Sequence, residues 1–363
     1  MILPRRGLLA APFLLGTTGG ARAATDLLGR PVRPPPAPPR RVVLGEGFLL
    51  IALSLLHPDP VSLLAGWATN LQTLDVDLHA AYRRRFPALD AVPAIGGTAG
   101  SSISAERMLA VAPDLVLFSA WQASSTENQA LLRALEEAGV PVAFVDFFLR
   151  PLDNTAPSLR LLGDWLGVRD QAEAFIRFHA TRLDAIRQTM AGAPPGPSVL
   201  LQAHAGRWPC CWSVGSGGVG EYLGLLGGRN IGMGAFPGPA GGTLHLEFVI
   251  AADPEVYVAT GTPRAGAAGG ISVGPGVAPE RAAAELARVT HAPGLDTLSA
   301  VRNGRVHALW NYFSDGPLGI VALQAMAHWL RPDLFPRMEA GDSLAEINRR
   351  FAAMPFEGAF WAN

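Results

Sequence analysis

The first half of the chain alternates short apolar runs with amphipathic stretches. The short runs predict buried strands, and apolar residues at helical spacing predict helices between them. The predicted strands are 41–44, 61–65, 114–118 and 141–145, and the clearest helices are 48–56 and 127–138. Because strands alternate with helices, we expect a mainly parallel sheet.

A long stretch without strand pattern follows. Residues 154–191 form one nearly continuous amphipathic run, which predicts a single stiff helix that Pro194 and Pro195 terminate. Strand and helix patterns then resume. We expect strands at 199–203, 255–259 and 305–309, and helices at 318–330 and 344–354, the last opened by a capping box of Ser343 and Glu346.

One pattern occurs twice. Segment 103–120 (ISAERMLAVAPDLVLFSA) aligns with segment 244–261 (LHLEFVIAADPEVYVATG), and each predicts a short helix, a proline turn and a buried strand. The alignment pairs Glu106 with Glu247, Ala110 with Ala251, Pro113 with Pro254 and Asp114 with Glu255. We therefore predict an α/β fold of two similar lobes: 24–153, a connecting helix at 154–192, and 193–363. A cleft between two such lobes favours a protein that closes on a ligand.

The first 23 residues have the pattern of an export signal. Arg5 and Arg6 precede an apolar run, and Ala21-Arg22-Ala23 is a small-residue cleavage signature. The paired arginines favour the twin-arginine route, although an ordinary secretory signal has the same layout. We expect a soluble protein outside the cytoplasm that begins near Ala24.

Composition excludes some partners. The chain of 363 residues is 49% hydrophobic and 16% charged, with a formal net charge of -1, so it has no general attraction to nucleic acid or anionic membrane. It contains no lysine, and all 29 basic residues are arginines. A single surface arginine therefore carries little functional information.

Large aromatic residues follow many of the predicted strands. Ligands of parallel sheets bind outside the carboxyl ends of the strands, so these rings are candidate walls of a cleft. Any single ring would equally suit the core or the lobe interface, but the set favours a cleft. The candidates are Trp67, Trp121, Phe147, Phe148, Trp208, Trp212, Trp310, Tyr312 and Phe313.

Several short motifs also occur in a characteristic order. They are RVVLGEG, IGG (95–97), SISAERMLAVAPDLVLF, AGVPVAFVD, LLGGRNIG, LEFVIAADPEVYVATG and VRNGRVHALWNYF. In this order the chain resembles the periplasmic substrate-binding proteins of iron-siderophore, haem and cobalamin ABC importers. The resemblance covers nearly all of the mature chain. It implies two Rossmann-like lobes joined by one long rigid helix, with a ligand cleft between them, and a monomeric carrier in the periplasm.

The same resemblance implies a partner. In that family one glutamate on each lobe docks into arginine-lined pockets of the inner-membrane permease, and the matching residues here are Glu106 and Glu247. Two carboxylates at a fixed separation fix orientation on a partner. The alternative is that each glutamate only interacts with the dipole of its helix.

The resemblance implies a ferric siderophore as cargo, with haem or cobalamin as alternatives. Rings at Trp67, Trp121, Phe148, Trp212, Trp310 and Tyr312 would stack on the organic shell of a chelate. Arg207 or Arg264 would meet its carboxylate or catecholate charge. Arg264 lies in the Gly-rich segment 261–276, which reads as a mobile lid or as a loose loop.

The sequence gives less support to a metal site and to a disulfide. The eight histidines are scattered, and His204, His245 and His307 are the ones near strand ends or loops of the second lobe, so we predict neither a bare metal site nor a resident cofactor. A haem cargo would need one axial ligand, for which His204 and Tyr312 are the candidates. Cys210 and Cys211 are adjacent, and because Cα atoms across a trans peptide are about 3.8 Å apart, reduced thiols are favoured over a bridge.

We predict no catalytic activity. Residues 215–220 match GxGxxG, but an exported chain without a following ribose-binding acid does not suit a dinucleotide. The chain has no HExxH motif. Glu46 and Asp315 lie near the expected cleft, where they would bind cargo or cap a helix as readily as catalyse.

Overall fold

The computed structural model describes residues 24–96, 103–208 and 210–363. The export signal predicted at 1–23 and Gly97 of the IGG motif lie outside these residues. The described chain forms two α/β lobes, each built on its own sheet. The predicted fold class is therefore confirmed.

The first lobe is a parallel sheet flanked by helices. Its elements are β1 (Ala24–Thr25), β2 (Pro31–Val32), β3 (Val42–Leu44), α1 (Leu49–Leu56), β4 (Leu64–Ala68), α2 (Asn70–Leu74), α3 (Val76–Arg85), β5 (Ala94–Gly96), α4 (Ala105–Ala110), β6 (Leu115–Ser119), α5 (Thr126–Glu137) and β7 (Val142–Val145). β1 and β2 form an antiparallel pair, and the parallel sheet has the order β5-β4-β3-β6-β7. The strand predicted at 61–65 begins later, because Asp59 caps a 3-10 helix at Pro60–Leu63.

Two helices, α6 (Pro151–Leu166) and α7 (Arg169–Met190), follow the first lobe. Gly167 separates them in the left-handed conformation, with φ of 73°. Ion pairs Arg160–Glu173 and Asp153–Arg187 join the two helices, so α6 folds back antiparallel on α7. The prediction of one unbroken helix over 154–191 is wrong, because a left-handed glycine ends a helix. α7, with 22 residues and a length of about 33 Å, is the long helix that links the lobes.

The second lobe contains a mixed sheet. Its elements are β8 (Ser198–Gln202), β9 (Trp212–Ser213), α8 (Val219–Leu225), β10 (Arg229–Asn230), β11 (Gly242–Thr243), α9 (Leu246–Ala252), β12 (Val256–Gly261), β13 (Gly274–Pro275), α10 (Pro279–Thr290), α11 (Ser299–Arg302), β14 (Val306–Trp310), α12 (Gly319–Leu330), α13 (Ala340–Arg350), β15 (Gly358–Ala359) and β16 (Trp361–Ala362). The sheet order is β11-β9-β8-β12-β14-β16, and β10 also pairs with β8. β8, β10, β12 and β14 are parallel.

The last helix begins earlier than predicted. α13 starts at Ala340, so Ser343 and Glu346 lie within the helix and do not form the predicted capping box. Both side chains instead contact Arg182 of α7. The local sequence has the pattern of a helix cap. In the structure, Ser343 and Glu346 instead bind Arg182, which is distant from them in the chain.

The sequence repeat is also a structural repeat. α4 and α9 are each followed by a strand, β6 or β12, that pairs with the first strand of its own sheet. The residue before the shared proline is left-handed in both copies, with φ of 43° at Ala112 and 39° at Asp253. Asp114 and Glu255 each accept a backbone hydrogen bond from the start of that neighbouring strand. The two predicted docking glutamates therefore occupy equivalent helices.

The largest group of buried apolar side chains runs through both lobes. It includes Leu117 of β6, Phe175 of α7 and Val258 of β12, all fully buried. The chain also returns to the first lobe near its end, where the amide of Ala353 donates to the carbonyl of Ser54 at 2.8 Å. The lobes therefore share one core, and a smaller cluster lies on the other face of each sheet.

Candidate functional site

The lobes meet where residues beyond the carboxyl ends of their strands contact each other, a region we call the interlobe boundary. Phe48, just after β3, stacks on Tyr312, just after β14, with ring centroids 3.9 Å apart and an interplanar angle of 22°. Both rings are buried. The predicted wall residue Tyr312 is thus covered by a ring from the opposite lobe.

Two carboxyl groups lie near each other at this boundary, Glu46 from the first lobe and Asp315 from the second. Glu46 accepts hydrogen bonds from the side-chain amide of Asn70 and the backbone amide of Phe48. Burial raises the pKa of Asp315 well above its ordinary value, and the charge of Glu46 adds to this. Burial also raises the pKa of Glu46. A carboxyl group whose pKa is raised keeps its proton to higher pH, and a protonated carboxyl can donate as well as accept hydrogen bonds.

A hydrogen bond crosses the boundary from Trp310 to Asp75. The indole Nε1 of Trp310 donates to Oδ2 of Asp75 at 2.7 Å, and both side chains are fully buried. Phe313 and Phe360 pack edge-on against the indole. Trp310, predicted as a cleft wall, therefore lies inside the lobe contact. Burial raises the pKa of Asp75 to about 7, against an ordinary value of 3.8.

An ion pair crosses the boundary beside it. Nε and an Nη of Arg264 each lie 3.0 Å from a carboxylate oxygen of Asp77, a bidentate geometry. Arg264, predicted to meet the charge of the cargo, thus has a partner within the chain. Its Gly-rich segment is not a loose loop, because it contains a 3-10 helix, Ala265–Ala268, and Ile271 and Val273 are fully buried.

The GxGxxG segment also lies at the boundary. Between β9 and α8, the amide of Gly218 donates to the carbonyl of Phe148 at 2.6 Å. Gly218 has φ of 54°, and an added Cβ would lie 3.2 Å from the ring of Phe148 in the first lobe and 2.8 Å from the Cβ of Ser314 in its own lobe. The glycine thus permits a close approach of the two lobes, and Phe148 is part of that contact.

Other rings remain accessible. Trp121, in the 3-10 helix Ala120–Ser124 after β6, is 42% exposed, and Trp208, after β8, is 41% exposed. Trp208 contacts Trp212 edge-on, with centroids 5.6 Å apart. Each lobe therefore presents an exposed indole beyond the carboxyl end of a strand. Trp67, by contrast, is buried and stacks on His79, and Phe147 is buried as well.

His204 belongs to the second of these aromatic groups. Its ring lies 4.3 Å from that of Trp208, and its backbone is left-handed, with φ of 47°. Within the described residues its Nδ1 is buried and has no hydrogen-bond partner. Burial, together with the charge of Arg207, lowers the pKa of His204 to about 4. The imidazole is therefore neutral at physiological pH.

The other two candidate histidines, His245 and His307, do not share a site with His204. His245 precedes α9 and is exposed, whereas His307 stacks on Trp329 with centroids 4.5 Å apart. In the described part of the chain no group of three or more His, Cys, Asp or Glu residues could hold a metal ion.

The two cysteines differ from the prediction. The Sγ atoms of Cys210 and Cys211 are joined in a disulfide, whereas the sequence favoured reduced thiols. The sequence argument assumed a trans peptide, but the peptide bond between these residues is cis and their Cα atoms are 3.0 Å apart. The disulfide lies between Trp208 and Trp212 in the chain.

The predicted docking residues lie elsewhere on the surface. Glu106 is in the first turn of α4 and Glu247 in the first turn of α9, and both are exposed. Among the ion pairs of the described residues, neither glutamate has a partner. Both carboxylates are therefore available to a partner molecule.

Sequence reasoning missed three residues of the boundary. It assigned Phe48 to a helix and gave no role to Asp75 or Asp77. Phe48 follows the end of a predicted strand. A position after a strand is also the signal that identified the other aromatic candidates. Asp75 is the N-cap of α3 and Asp77 lies in its first turn. No local pattern distinguishes them from aspartates that only stabilise a helix start.

Comparison with known proteins agrees with this architecture. The family model described as periplasmic binding protein matches residues 53–312. No curated protein sequence is significantly similar to the chain. No helix in the described ranges is long and apolar enough to span a membrane.

Three solved structures illustrate the similarity. The TroA-like periplasmic binding protein FepB from Veillonella parvula has 21% identity and a TM-score of 0.81, with 93% of this chain and 98% of that chain covered. A periplasmic heme binding protein from Pseudomonas aeruginosa has 25% identity and a TM-score of 0.55, covering 83% and 94%. MolA from Haemophilus influenzae, bound to molybdate, has 17% identity and a TM-score of 0.65, covering 93% and 99%.

Proposed function

Since this chain belongs to the periplasmic binding protein family, whose members work with ABC importers, we propose that it carries an iron chelate of the ferric siderophore type to such an importer. The observation that supports this cargo is the exposed indole on each lobe, Trp121 and Trp208, beyond the carboxyl ends of strands. Indole faces stack on the flat organic groups of a chelate. The protein would bind and release its ligand unchanged, without catalysis.

The charges near the boundary support the same class of ligand. Siderophore chelates are rich in oxygen and commonly anionic. Arg207 is exposed next to Trp208 and offers a bidentate donor for an anionic group. Burial raises the pKa of Glu46 and of Asp315, which reduces the tendency of the two carboxyl groups to repel such a ligand.

A fluorescence titration tests this proposal. The mature protein is titrated with ferric hydroxamate, catecholate and citrate chelates, haem and cobalamin while tryptophan emission is followed. We expect submicromolar quenching by one ferric chelate class and about five- to hundredfold weaker binding for Trp121→Ala or Trp208→Ala, since stacking on a ring is worth about 1–3 kcal/mol. Trp361→Phe, on β16, is the control and should bind normally. Quenching by none of the chelates would rule out this cargo.

Haem is the second candidate, and His204 is the observation that favours it. Haem iron is bound by neutral imidazole, and His204 is held neutral beside an exposed indole. Tyr312, the other predicted axial ligand, is covered by Phe48. If haem is the cargo, haem titration gives a shifted Soret band that His204→Ala removes. A Soret band unchanged by that substitution would exclude His204 as the ligand.

The partner and location complete the proposal. Glu106 and Glu247 would dock the monomeric carrier on the inner-membrane permease, because they are exposed on equivalent helices of the two lobes. Export through the signal at 1–23 would deliver the mature chain to the periplasm. Amino-terminal sequencing of the exported protein should begin near Ala24, and any other start within the described residues would contradict the predicted cleavage.

A further inference from the structure

The helix α9 carries an unusual concentration of exposed apolar side chains. Among the described residues, the large apolar side chains that are exposed are Leu28, Val76, Trp121, Trp208, Phe248 and Ile250. Two of them, Phe248 at 47% and Ile250 at 39%, lie on this seven-residue helix. Both follow Glu247 closely in the helix, and at about 100° per residue their side chains lie on either side of it. Exposed apolar side chains that border a charged group on a surface commonly mark an interaction site.

The equivalent helix of the first lobe has a different outer face. In the alignment of the repeats, Met108 corresponds to Val249, and both are fully buried. Arg107 occupies the place of Phe248. The position of Ile250 is held by Leu109, which is partly buried. The inward face is thus preserved between the lobes, while the outward face carries a cation on α4 and apolar surface on α9.

We propose that α9 docks on the permease through an apolar contact of Phe248 and Ile250 around the carboxylate of Glu247, whereas α4 docks through charged groups alone. This proposal rests on the docking role proposed above for the two glutamates. The matching permease surface carries a basic side chain bordered by apolar groups. Two chemically different docking points would fix which lobe meets which part of the permease.

Apolar neighbours can strengthen an ion pair by excluding water from it. An ion pair on an open surface contributes little, because solvent screens it. Apolar groups that surround such a pair and become buried with it keep water out and strengthen it. Glu247 has no ion-pair partner within the described chain, so its carboxylate can pair with a basic side chain of a partner while Phe248 and Ile250 are covered beside it. The permease is that partner because the adjacent carboxylate is already assigned to it.

Binding to the reconstituted transporter tests this inference. The ABC importer with which the protein works is placed in lipid nanodiscs, and the Kd of the cargo-loaded carrier is measured for Phe248→Ser, Ile250→Ser, Glu247→Gln and Glu106→Gln. Leu28→Ser, an equally exposed apolar residue on the β1–β2 turn, is the matched control. We expect about tenfold weaker binding for Phe248→Ser and Glu247→Gln, a smaller loss for Ile250→Ser, and no change for Leu28→Ser. Cargo affinity should be unchanged in all of them.

The outcomes separate this inference from the docking proposal. If Phe248→Ser binds the transporter like the wild type while Glu247→Gln binds weakly, the apolar contact is refuted and docking by the glutamates stands. If neither glutamate substitution weakens binding, the docking role itself is wrong. If sedimentation shows a wild-type dimer that Phe248→Ser converts to monomer, with transporter affinity unchanged, a second copy of the chain covers α9 and the inference is overturned.

Discussion

The indole nitrogen of Trp310 lies 2.7 Å from a carboxylate oxygen of Asp75, and this hydrogen bond connects the second lobe to the first. The two residues are 235 positions apart in the chain. Both side chains are fully buried, so the lobes are in direct contact at this point. The bidentate pair of Arg264 with Asp77 adds a second, more exposed connection beside it.

The burial of Asp75 should make stability depend on pH. Its pKa is raised from 3.8 to about 7, so between these values the folded protein holds a proton that the unfolded chain releases. Stability therefore falls as pH rises through this window, by at most about 1.4 kcal/mol per pH unit. Glu46 and Asp315 act in the same direction. Urea unfolding of Asp75→Asn should show a correspondingly flatter decline of the free energy of unfolding.

Asp75→Asn also removes one hydrogen bond. Asp75 accepts from Leu78 through one oxygen and from Trp310 through the other, and both oxygens keep acceptor lone pairs when the carboxyl is protonated, whereas the amide nitrogen of asparagine accepts no hydrogen bond. We expect a loss of about 1–2 kcal/mol at acid pH, where the wild-type carboxyl is protonated. An unchanged pH slope in this variant would show that Asp75 is not the titrating group.

Arg264 should act on cargo binding through Asp77. If the ion pair holds the two lobes together, Arg264→Gln and Asp77→Asn should weaken cargo binding by the same factor. The double variant should then bind cargo no more weakly than either single variant. The effect should diminish at high salt, because the pair is exposed to solvent. Kd values from tryptophan quenching measure this. If Arg264→Gln weakens binding further in the Asp77→Asn background, Arg264 contacts the cargo itself.

Gly218 should tolerate no side chain. A Cβ at this position would lie 2.8 Å from the Cβ of Ser314 and 3.2 Å from the ring of Phe148, with φ of 54°. We expect Gly218→Ala to lower the free energy of unfolding by about 1–3 kcal/mol. Gly224→Ala, within α8 and with no atom within 4 Å, is the control and should be neutral or stabilising by about 0.5–1 kcal/mol. Equal effects of the two substitutions would refute the close approach.

Arg182 should stabilise the contact between α7 and α13. Its Nε donates to Ser343 at 2.8 Å, an Nη donates to Glu346 at 2.6 Å, and the guanidinium lies 3.6 Å from the ring centroid of Phe178. Lysine cannot reproduce this fork, so Arg182→Lys should lose about 1–2 kcal/mol of stability in urea. Arg177→Lys, exposed on the same helix, should change it by less than about 0.5 kcal/mol. Similar losses in both variants would indicate a general effect of lysine on α7.

Local patterns were sufficient to predict most of the fold. The repeat around Pro113 and Pro254 predicted equivalent helix and strand pairs because both copies contain the same local signals, and the structure has them with matching left-handed residues. The break at Gly167 was missed because the residues on both sides of it continue an amphipathic helical pattern. Whether a glycine interrupts a helix there depends on the packing of α6 on α7, which local sequence does not contain.

The site was less predictable for a similar reason. Trp121 and Trp310 both follow a predicted buried strand, yet the first is 42% exposed and the second is fully buried. A position after a strand indicates the edge of a sheet, but only a contact from the other lobe decides whether that position is covered. Asp75, which covers Trp310, is too distant in the chain for any local pattern to pair them.

The core that runs through both lobes has a consequence for folding. Leu117, Phe175 and Val258 come from the first sheet, the linking helix and the second sheet, and they belong to one buried cluster. The two lobes and the linking helix therefore form one unit of cooperative unfolding. A calorimetric scan should show one heat-absorption peak, and a fragment that ends within α7 would expose apolar surface that the missing half normally covers.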